Sequence, residues 1–278
     1  PDYRYLVKAV EAGKKIVAMV FSHGHDDHIA AAPYILHQLP EFPLYGSPLT
    51  ARFAEKRLAD AGFERKGTVI HNSDVVKLSE HFSVQQFNVT HSVPDTRHVL
   101  VHTPEGLIYH GSDFKLDPTP VDGKVSDLEG IAAATKEGVL CMLIDCLRIE
   151  NSEWTLSEST VGSALHEEIA KTKGKSIVTL MSSHIHRIQQ TIDAAEAAGR
   201  KVAFVGRSVE QNVEVALELN QLRLPTAMRV DKRDMGQIPD NQLCVIVAGS
   251  QGQEGSSLVR AVFGEHPILR IGQNDTVI

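Results

Sequence analysis

The stretch FSHGHDDHIAAAPYIL, residues 21–36, decides the fold of this chain. Three histidines and two aspartates fall within six successive positions, from His23 to His28. The apolar run KIVAMVF (15–21) before them predicts a strand, and the alanine-rich IAAAPYILHQL after them predicts a helix. The titratable side chains are therefore expected on a strand-to-helix loop.

The spacing of these side chains is typical of a metal site. Histidine nitrogen and aspartate oxygen are the donors that suit Zn²⁺ or Mn²⁺. A loop at a strand end can turn His23 and His25 toward one ion, and Asp27 with His28 toward a neighbouring ion, while Gly24 lets the backbone pass close by. A solvated polar turn would explain any one of these histidines, but it explains the full H-x-H-x-D-H pattern poorly.

The composition limits the class of protein. The chain has 278 residues with 42% hydrophobic content, 28 basic against 35 acidic residues, and a formal charge of −7. This balance excludes a global positive field, so any binding of nucleic acid must be local. No stretch has the roughly 18 apolar residues of a membrane span. Three cysteines (Cys141, Cys146 and Cys244) cannot all pair, and they favour a reducing compartment.

The pattern of predicted secondary structure changes near residue 150. Residues 67–110 contain short strand-like pieces, and GVLCMLIDC (138–146) predicts one further buried strand. From 150 onward helices and strands alternate, with a capping box predicted at Thr155 and Glu158. Such alternation is typical of a parallel α/β unit. We therefore expect two domains, residues 1–149 and 150–278.

The histidine pattern resembles the signature of the metallo-β-lactamase fold hydrolases. Two later segments extend the resemblance: THSVPD (90–95) is similar to the segment that holds the third metal-binding histidine of that family, and GSDFKLD (111–117) to the segment that holds the metal-bridging aspartate. These matches imply metal-binding roles for His91 and Asp113. Taken alone, each residue would more often be an ordinary strand-end or turn residue.

Within that superfamily the whole chain resembles ribonuclease J, a member of the β-CASP group. The resemblance is carried by HSVPD, TPEG, DFK, TPVDGK, IHRIQQ, EQNVEVA and AGSQGQEGSS. It implies a partial αββα sandwich interrupted by an inserted parallel α/β β-CASP domain. It also implies that an opening segment precedes Pro1 and that closing histidines follow Ile278. Asp145 matches the acidic residue that supports the metal site in the family, although a strand-end aspartate that caps a loop is an equal alternative.

The resemblance implies a metal-dependent ribonuclease that hydrolyses phosphodiester bonds in RNA processing and decay, as an exonuclease, an endonuclease or both. Its cofactors would be two divalent ions, with Zn²⁺ preferred and Mn²⁺ an alternative. His23, His25 and His91 would bind the first ion, Asp27 and His28 the second, and Asp113 both, while Asp27 also orients the attacking water. Two ions about 4 Å apart can activate that water. The catalytic set is thus Asp27, Asp113 and Asp145.

The candidate RNA-binding residues lie on loops that follow strands of the second half. The turn AGSQGQEGSS offers backbone N–H groups at Ser250, Gln251 and Gly252, which can hold a phosphate. His186, Arg187 and Arg207 can add charge at the same sheet edge. An ordinary strand-to-helix turn and solvated helix starts are the competing interpretations.

The expected partner is single-stranded RNA rather than a membrane, the expected location is the cytoplasm, and a homo-oligomer is compatible with the resemblance. Two alternatives stay open. One is another hydrolase of the same fold, such as a thioesterase or a lactamase, which would not need the second α/β half. The other is a catalytically silent β-CASP subunit, which would have lost metal ligands that this sequence retains.

Overall fold

The computed structural model describes residues 2–278, which divide into two compact units. The first unit comprises the chain up to Pro118 together with Lys124–Thr155, and the second comprises Thr119–Gly123 together with Leu156–Ile278. A short piece of chain before residue 124 thus belongs to the unit that otherwise begins at Leu156.

The first unit contains two β-sheets. Its strands are β1 (Met19–Val20), β2 (Leu44–Gly46), β3 (Gly67–Val69), β4 (Val75–Lys77), β5 (Ser83–Asn88), β6 (Arg97–Thr103), β7 (Gly106–Gly111) and β8 (Cys141–Ile144). Its helices are α1 (Arg4–Glu11), α2 (Asp26–Ile29), α3 (Ala32–Leu36), α4 (Pro48–Asp60) and α5 (Leu128–Ala134). Strands β1, β2 and β3 form a parallel sheet, and β4 to β8 form a mixed sheet in chain order, in which only β7 and β8 pair in parallel.

The two sheets pack face to face, and helices cover their outer faces, so that the unit has four layers. Ile70, Val84 and Val99 form a buried cluster between them, and partly buried Val20 and Tyr45 of the first sheet pack on it. The other face of the mixed sheet buries a second set of side chains under α5, namely Phe87, Leu100 and Tyr109 with Ile131 and Ala134. Helix α4 covers β2 and β3 on the outside. This order of helix, sheet, sheet and helix matches the αββα expectation.

The second unit is a regular parallel α/β structure. Its elements are α6 (Ser159–Lys171), β9 (Ser176–Leu180), α7 (Ile185–Ala197), β10 (Lys201–Val205), α8 (Arg207–Glu218), β11 (Leu243–Ala248), α9 (Ser257–Val262) and β12 (Thr276–Val277). Short 3-10 turns lie at Thr226–Met228, Met235–Gln237 and Asp240–Gln242. The strand order is β10-β11-β9-β12, all parallel. The central strands are buried on both faces, as parallel strands between helices are expected to be.

The mixed α/β class and the alternation of the second half are confirmed, whereas several local predictions are wrong. The helix predicted from Ile29 onward is reduced to α3, because Pro33 has no N–H to bond the carbonyl of Ile29. The end of the histidine cluster, expected on a loop, forms the short helix α2. The capping box at Thr155 and Glu158 does not form. Helix α6 begins at Ser159, and the Glu158 carboxylate accepts hydrogen bonds from Arg187 instead.

Strand β8 was expected to be buried, and it is exposed along its whole length. It is the edge strand of the mixed sheet, with β7 on one side. Its apolar sequence therefore does not indicate burial in this chain. Cys141 in β8 and Cys146 after it are exposed thiols. Cys244 in β11 is buried, and burial raises its pKa to about 12. Within residues 2–278, no helix is long and apolar enough to cross a membrane.

Two leucines of the mixed sheet provide a matched test of this burial pattern. Leu100 in β6 is fully buried, whereas Leu143 in β8 is 54% exposed. We expect Leu100→Ala to lower the free energy of unfolding by about 2–5 kcal/mol, because it removes buried methyl groups and leaves a cavity. Leu143→Ala should change it by less than about 0.5 kcal/mol. Urea unfolding of the two variants checks this, and equal losses would contradict the exposed position of β8.

Candidate metal centre

The loop after β1 is held in a tight conformation by its neighbours. The N–H of Phe21 donates to the carbonyl of Tyr45 at 2.8 Å and extends the pairing of β1 with β2. His23 and His25 are buried. A Cβ atom on Gly24 would lie 2.5 Å from Cδ2 of Phe53 in α4. Since no side chain fits there, glycine is required for the loop to lie against the helix.

Two further loops bring the remaining side chains to this place. His91 follows β5 and Asp113 follows β7, which are both neighbours of β6 in the mixed sheet. The N–H of Lys115 donates to the carbonyl of Thr90 at 2.7 Å, which ties these two loops together. Strand ends of two sheets therefore converge on one group of titratable side chains.

The first donor group comprises His23, His25, His91 and Asp113. Nδ1 of His25 lies 3.1 Å from Nε2 of His23 and 3.2 Å from Nε2 of His91. Oδ2 of Asp113 lies 3.9 Å from Nε2 of His23 and 3.8 Å from Nε2 of His91. Ligands at about 2.0–2.2 Å in a tetrahedral site lie roughly 3.3–3.6 Å apart. Three imidazoles and one carboxylate at these separations fit a divalent transition-metal ion.

The second donor group comprises Asp27, His28 and the other oxygen of Asp113. Nε2 of His28 lies 3.3 Å from Oδ1 of Asp113 and 3.6 Å from Oδ2 of Asp27. The Asp27 side chain is 77% exposed, so this group opens toward solvent. The two groups share the Asp113 carboxylate: Oδ2 faces the first group and Oδ1 faces the second. This is the arrangement of a bridging ligand.

Burial sets the protonation of the inner histidines. It lowers the pKa of His23 to about 2, and the neighbouring His28, His25 and His91 act in the same direction. Burial, followed by His91, lowers the pKa of His25 to about 4, against the opposing charges of Asp27 and Asp113. Both rings are therefore neutral at neutral pH, which is the form of histidine that binds metal ions.

Comparison with known proteins finds relatives that span the whole chain. A family profile described as "Ribonuclease J, beta-CASP domain" matches residues 173–278. Ribonuclease J of Thermus thermophilus is 39% identical over all of this chain, and the match covers 49% of that protein. Ribonuclease J of Helicobacter pylori and of Synechocystis are each 34% identical over all of this chain, with 40% and 43% of those proteins covered. The chain is thus similar over its whole length to ribonuclease J proteins, and residues 173–278 match their β-CASP domain.

The chain spans about half the length of these curated relatives, or less. Among solved structures, a protein of unknown function from Enterococcus faecalis V583 matches with a TM-score of 0.61 and 18% sequence identity. That match covers 86% of this chain and 60% of the other, and it supports the fold alone. Similarity to these metallo-hydrolases supports a site for divalent metal ions, and the two donor groups agree with it.

The structure brings together all six residues predicted as metal ligands, and their roles as ligands stay a prediction. Asp145 does not belong to either donor group among residues 2–278. Its Oδ1 accepts a hydrogen bond from the N–H of Leu147 at 2.9 Å, directly after β8. This is the loop-capping contact that the sequence left open as an alternative.

The predicted RNA-binding residues lie on loops at the carboxyl ends of parallel strands in the second unit. Ser250, Gln251 and Gly252 are exposed on the turn after β11, and Arg207 is exposed at the first position of α8 after β10. His186 and Arg187 stand in the first turn of α7, after β9. These loops share the sheet edge at which such folds bind ligands. A role in RNA binding stays a prediction for each of them.

The positive charge of Arg187 is balanced by an ion pair that the sequence did not predict. Its Nε and Nη2 donate to Oε1 and Oε2 of Glu158 at 2.8 and 2.9 Å. Nε2 of His184 lies 3.5 Å from the same carboxylate. Burial alone would raise the pKa of Glu158, but the hydrogen bonds from His184 and Arg187 lower it to about 2. Arg187 therefore anchors α7 to the start of α6.

This pair predicts a dependence of stability on pH. Because the pKa of Glu158 is lower in the folded protein than its ordinary value of 4.5, its stabilisation is complete above that pH and is lost as the pH falls toward 2. We expect Glu158→Gln to lower the free energy of unfolding by roughly 1–3 kcal/mol at pH 7 and to flatten its pH dependence below 4.5. Unfolding measured from pH 7 to pH 3 checks this.

Glu167→Gln is a suitable control, since the exposed Glu167 carboxylate pairs with Lys171 on the surface of helix α6. It should leave the free energy of unfolding nearly unchanged at pH 7. An equal loss in both variants would show that the Glu158 contacts add no stability beyond a surface pair.

The shared carboxylate gives a second prediction. Asp113→Asn should weaken binding of Zn²⁺ by at least about 100-fold, since even residues that only support a ligand are worth about 10- to 100-fold. Titration calorimetry of the metal-free protein measures this. Asp26→Asn is the control, because Asp26 precedes Asp27 in α2 but pairs with Nη2 of Arg57 at 3.1 Å. Equal affinities of the two variants would contradict the role of Asp113.

Proposed function

We propose that this chain carries the catalytic centre of a metal-dependent ribonuclease, which hydrolyses phosphodiester bonds of single-stranded RNA in RNA processing and decay. One observation carries the proposal: the Asp113 carboxylate presents one oxygen to each of two adjacent donor groups. The relatives named ribonuclease J, similar over the whole chain, support the same activity.

The residues of this site have distinct roles in the proposed reaction. His23, His25 and His91 would hold one ion and His28 with Asp27 a second, with Asp113 between them. Two divalent ions, Zn²⁺ by preference and Mn²⁺ as the alternative, would supply an activated water and stabilise the charge that develops on the phosphodiester. The exposed Asp27 carboxylate can accept a hydrogen bond from that water and orient it toward phosphorus.

The deep burial of His23 has a consequence for this chemistry. Its ring is inaccessible to solvent, whereas Asp27 and Asp113 are open to it. Water and substrate would therefore approach from the side of Asp27 and His28. The buried His23 and His25 would hold the first ion without touching the substrate.

We also propose that residues 1–149 form a metallo-β-lactamase domain and residues 150–278 the β-CASP domain. The division of contacts near Thr155 and the profile match to residues 173–278 support this assignment. The loops with Ser250, Gln251, Gly252, His186, Arg187 and Arg207 would hold the phosphates of RNA, and the protein would act in the cytoplasm.

The experiment that tests the activity is cleavage of 5′-monophosphorylated single-stranded RNA by the protein encoded by the complete open reading frame. We expect the RNA to be shortened when Zn²⁺ or Mn²⁺ is present and to stay intact after chelation. Asp27→Asn should lower the rate at least about 100-fold, because it removes both a metal ligand and the group that orients water.

Asp26→Asn is the matched control and should retain a near-normal rate, because its carboxylate pairs with Arg57. If the protein binds metal and leaves RNA intact, the ligands stand but the substrate is wrong. In that case another hydrolase of the fold or a silent subunit would be the better assignment. If both variants lose activity equally, Asp27 has no special role.

A further inference from the structure

Each loop that carries a candidate ligand also carries a serine directly beside it. Ser22 precedes His23, Ser92 follows His91, and Ser112 precedes Asp113. The hydroxyls of these serines face histidine nitrogens that point away from the donor groups. Nδ1 of His23 lies 3.2 Å from Oγ of Ser22 and 3.1 Å from Oγ of Ser112. Nε2 of His25 lies 3.0 Å from Oγ of Ser92.

The chemistry of imidazole gives these contacts a direction. A neutral ring has one nitrogen with a free lone pair and one that carries a proton. Nε2 of His23 and Nδ1 of His25 face the first donor group, so these nitrogens must be unprotonated to bind an ion. The outer nitrogens, Nδ1 of His23 and Nε2 of His25, then carry the protons. Each serine hydroxyl oxygen is placed to accept a hydrogen bond from the N–H of the outer nitrogen.

We propose that Ser22, Ser92 and Ser112 are positioning residues that select the metal-binding tautomers of His23 and His25. This inference rests on the proposed function, since it assigns the supporting residues of the same site. The two tautomers are opposite, with the ion on Nε2 in one ring and on Nδ1 in the other. A serine at each outer nitrogen selects the correct form for its own ring and also fixes the ring rotation.

The contacts are unequal for the two rings. Among the described residues, His23 has two hydroxyl partners at its outer nitrogen, and His25 has one. The two partners of His23 can replace each other, because either hydroxyl can accept the same proton. Ser92 has no such substitute at His25. Loss of Ser92 alone should therefore matter more than loss of Ser22 or Ser112 alone.

The metal-free 278-residue chain is titrated with Zn²⁺ alone, and the dissociation constant of the tighter site is compared among variants. Ser92→Ala should weaken binding by about 10- to 100-fold, the usual effect of removing a partner of a metal-binding histidine. Ser22→Ala and Ser112→Ala should each cost less than about threefold, and the double variant should cost 10-fold or more. Ser92→Thr, which keeps a hydroxyl, should recover most of the affinity.

Ser47→Ala is the matched control. Ser47 is a fully buried serine of the same unit whose hydroxyl donates to Oγ1 of Thr50 at 2.8 Å, in the first turn of α4. Its removal should leave Zn²⁺ affinity within twofold. Thermal unfolding of the metal-free variants shows whether each one folds, so a loss of affinity can be separated from a loss of structure.

A second measurement reports on the tautomers directly. In ¹⁵N-labelled, Zn²⁺-loaded protein, the ring N–H protons of His23 and His25 should be visible as Nδ1–H and Nε2–H, and the latter should exchange faster in Ser92→Ala. A packing role for Ser92 would not produce this selective change. If the wild type binds Zn²⁺ and Ser92→Ala changes neither the Zn²⁺ affinity nor the exchange of the Nε2–H proton, the inference is overturned and the proposed function stands. A wild type that binds no divalent ion would overturn both.

Discussion

Four imidazole rings in close contact are the constraint on which the first unit depends. The ring centroid of His23 lies 4.8 Å from that of His25, 4.0 Å from that of His28 and 5.1 Å from that of His91. Charged rings at these distances would repel one another strongly, and buried charges would also lose their hydration. Neutral rings avoid both costs, but the lone pairs of His23, His25 and His91 then converge on one point, and that of His28 on a neighbouring point. Such a cluster is favourable when a cation is shared among the lone pairs.

The rest of the first unit keeps these rings in place. The carbonyl of Phe21 accepts a hydrogen bond at 3.0 Å from the side-chain amide of Gln86, a fully buried residue in the middle of β5. The carbonyl of Ser22 accepts one at 2.9 Å from the N–H of Arg97 at the start of β6. Both bonds run from the mixed sheet to the loop after β1. The loop is thus fixed by both sheets, and a shift of the sheets would separate His23 from His91 and Asp113.

The sequence predicted the elements that depend on local chemistry and missed those that depend on distant contacts. Strands β9, β10 and β11 are buried apolar runs, and they belong to the alternation of helices and strands predicted from residue 150 onward. The residues that the structure brings together were predicted from the spacing at His23 to His28 and from the resemblance of residues 90–95 and 111–117 to the same family. Strand β8 looked buried because hydrophobicity alone does not tell an edge strand from a central strand.

Glu158 shows a different kind of miss. Its spacing from Thr155 matches a capping box, and that local pattern was outweighed by the bidentate pair with Arg187, 29 residues away in sequence. The serines beside the ligands were visible in FSH, THS and GSD. Serine is common on loops, however, and only the distances to the outer ring nitrogens distinguish these three from other serines.

Serine rather than carboxylate at the outer nitrogens has a consequence for the charge of the site. A carboxylate partner would raise the basicity of the ring and add negative charge beside the ion. A hydroxyl fixes the ring in the same way without adding charge. The ions would then keep more of their positive charge for water and for the anionic phosphodiester. In an acidic chain in which Arg187 is already paired, this retained charge would supply part of the attraction for the proposed RNA substrate.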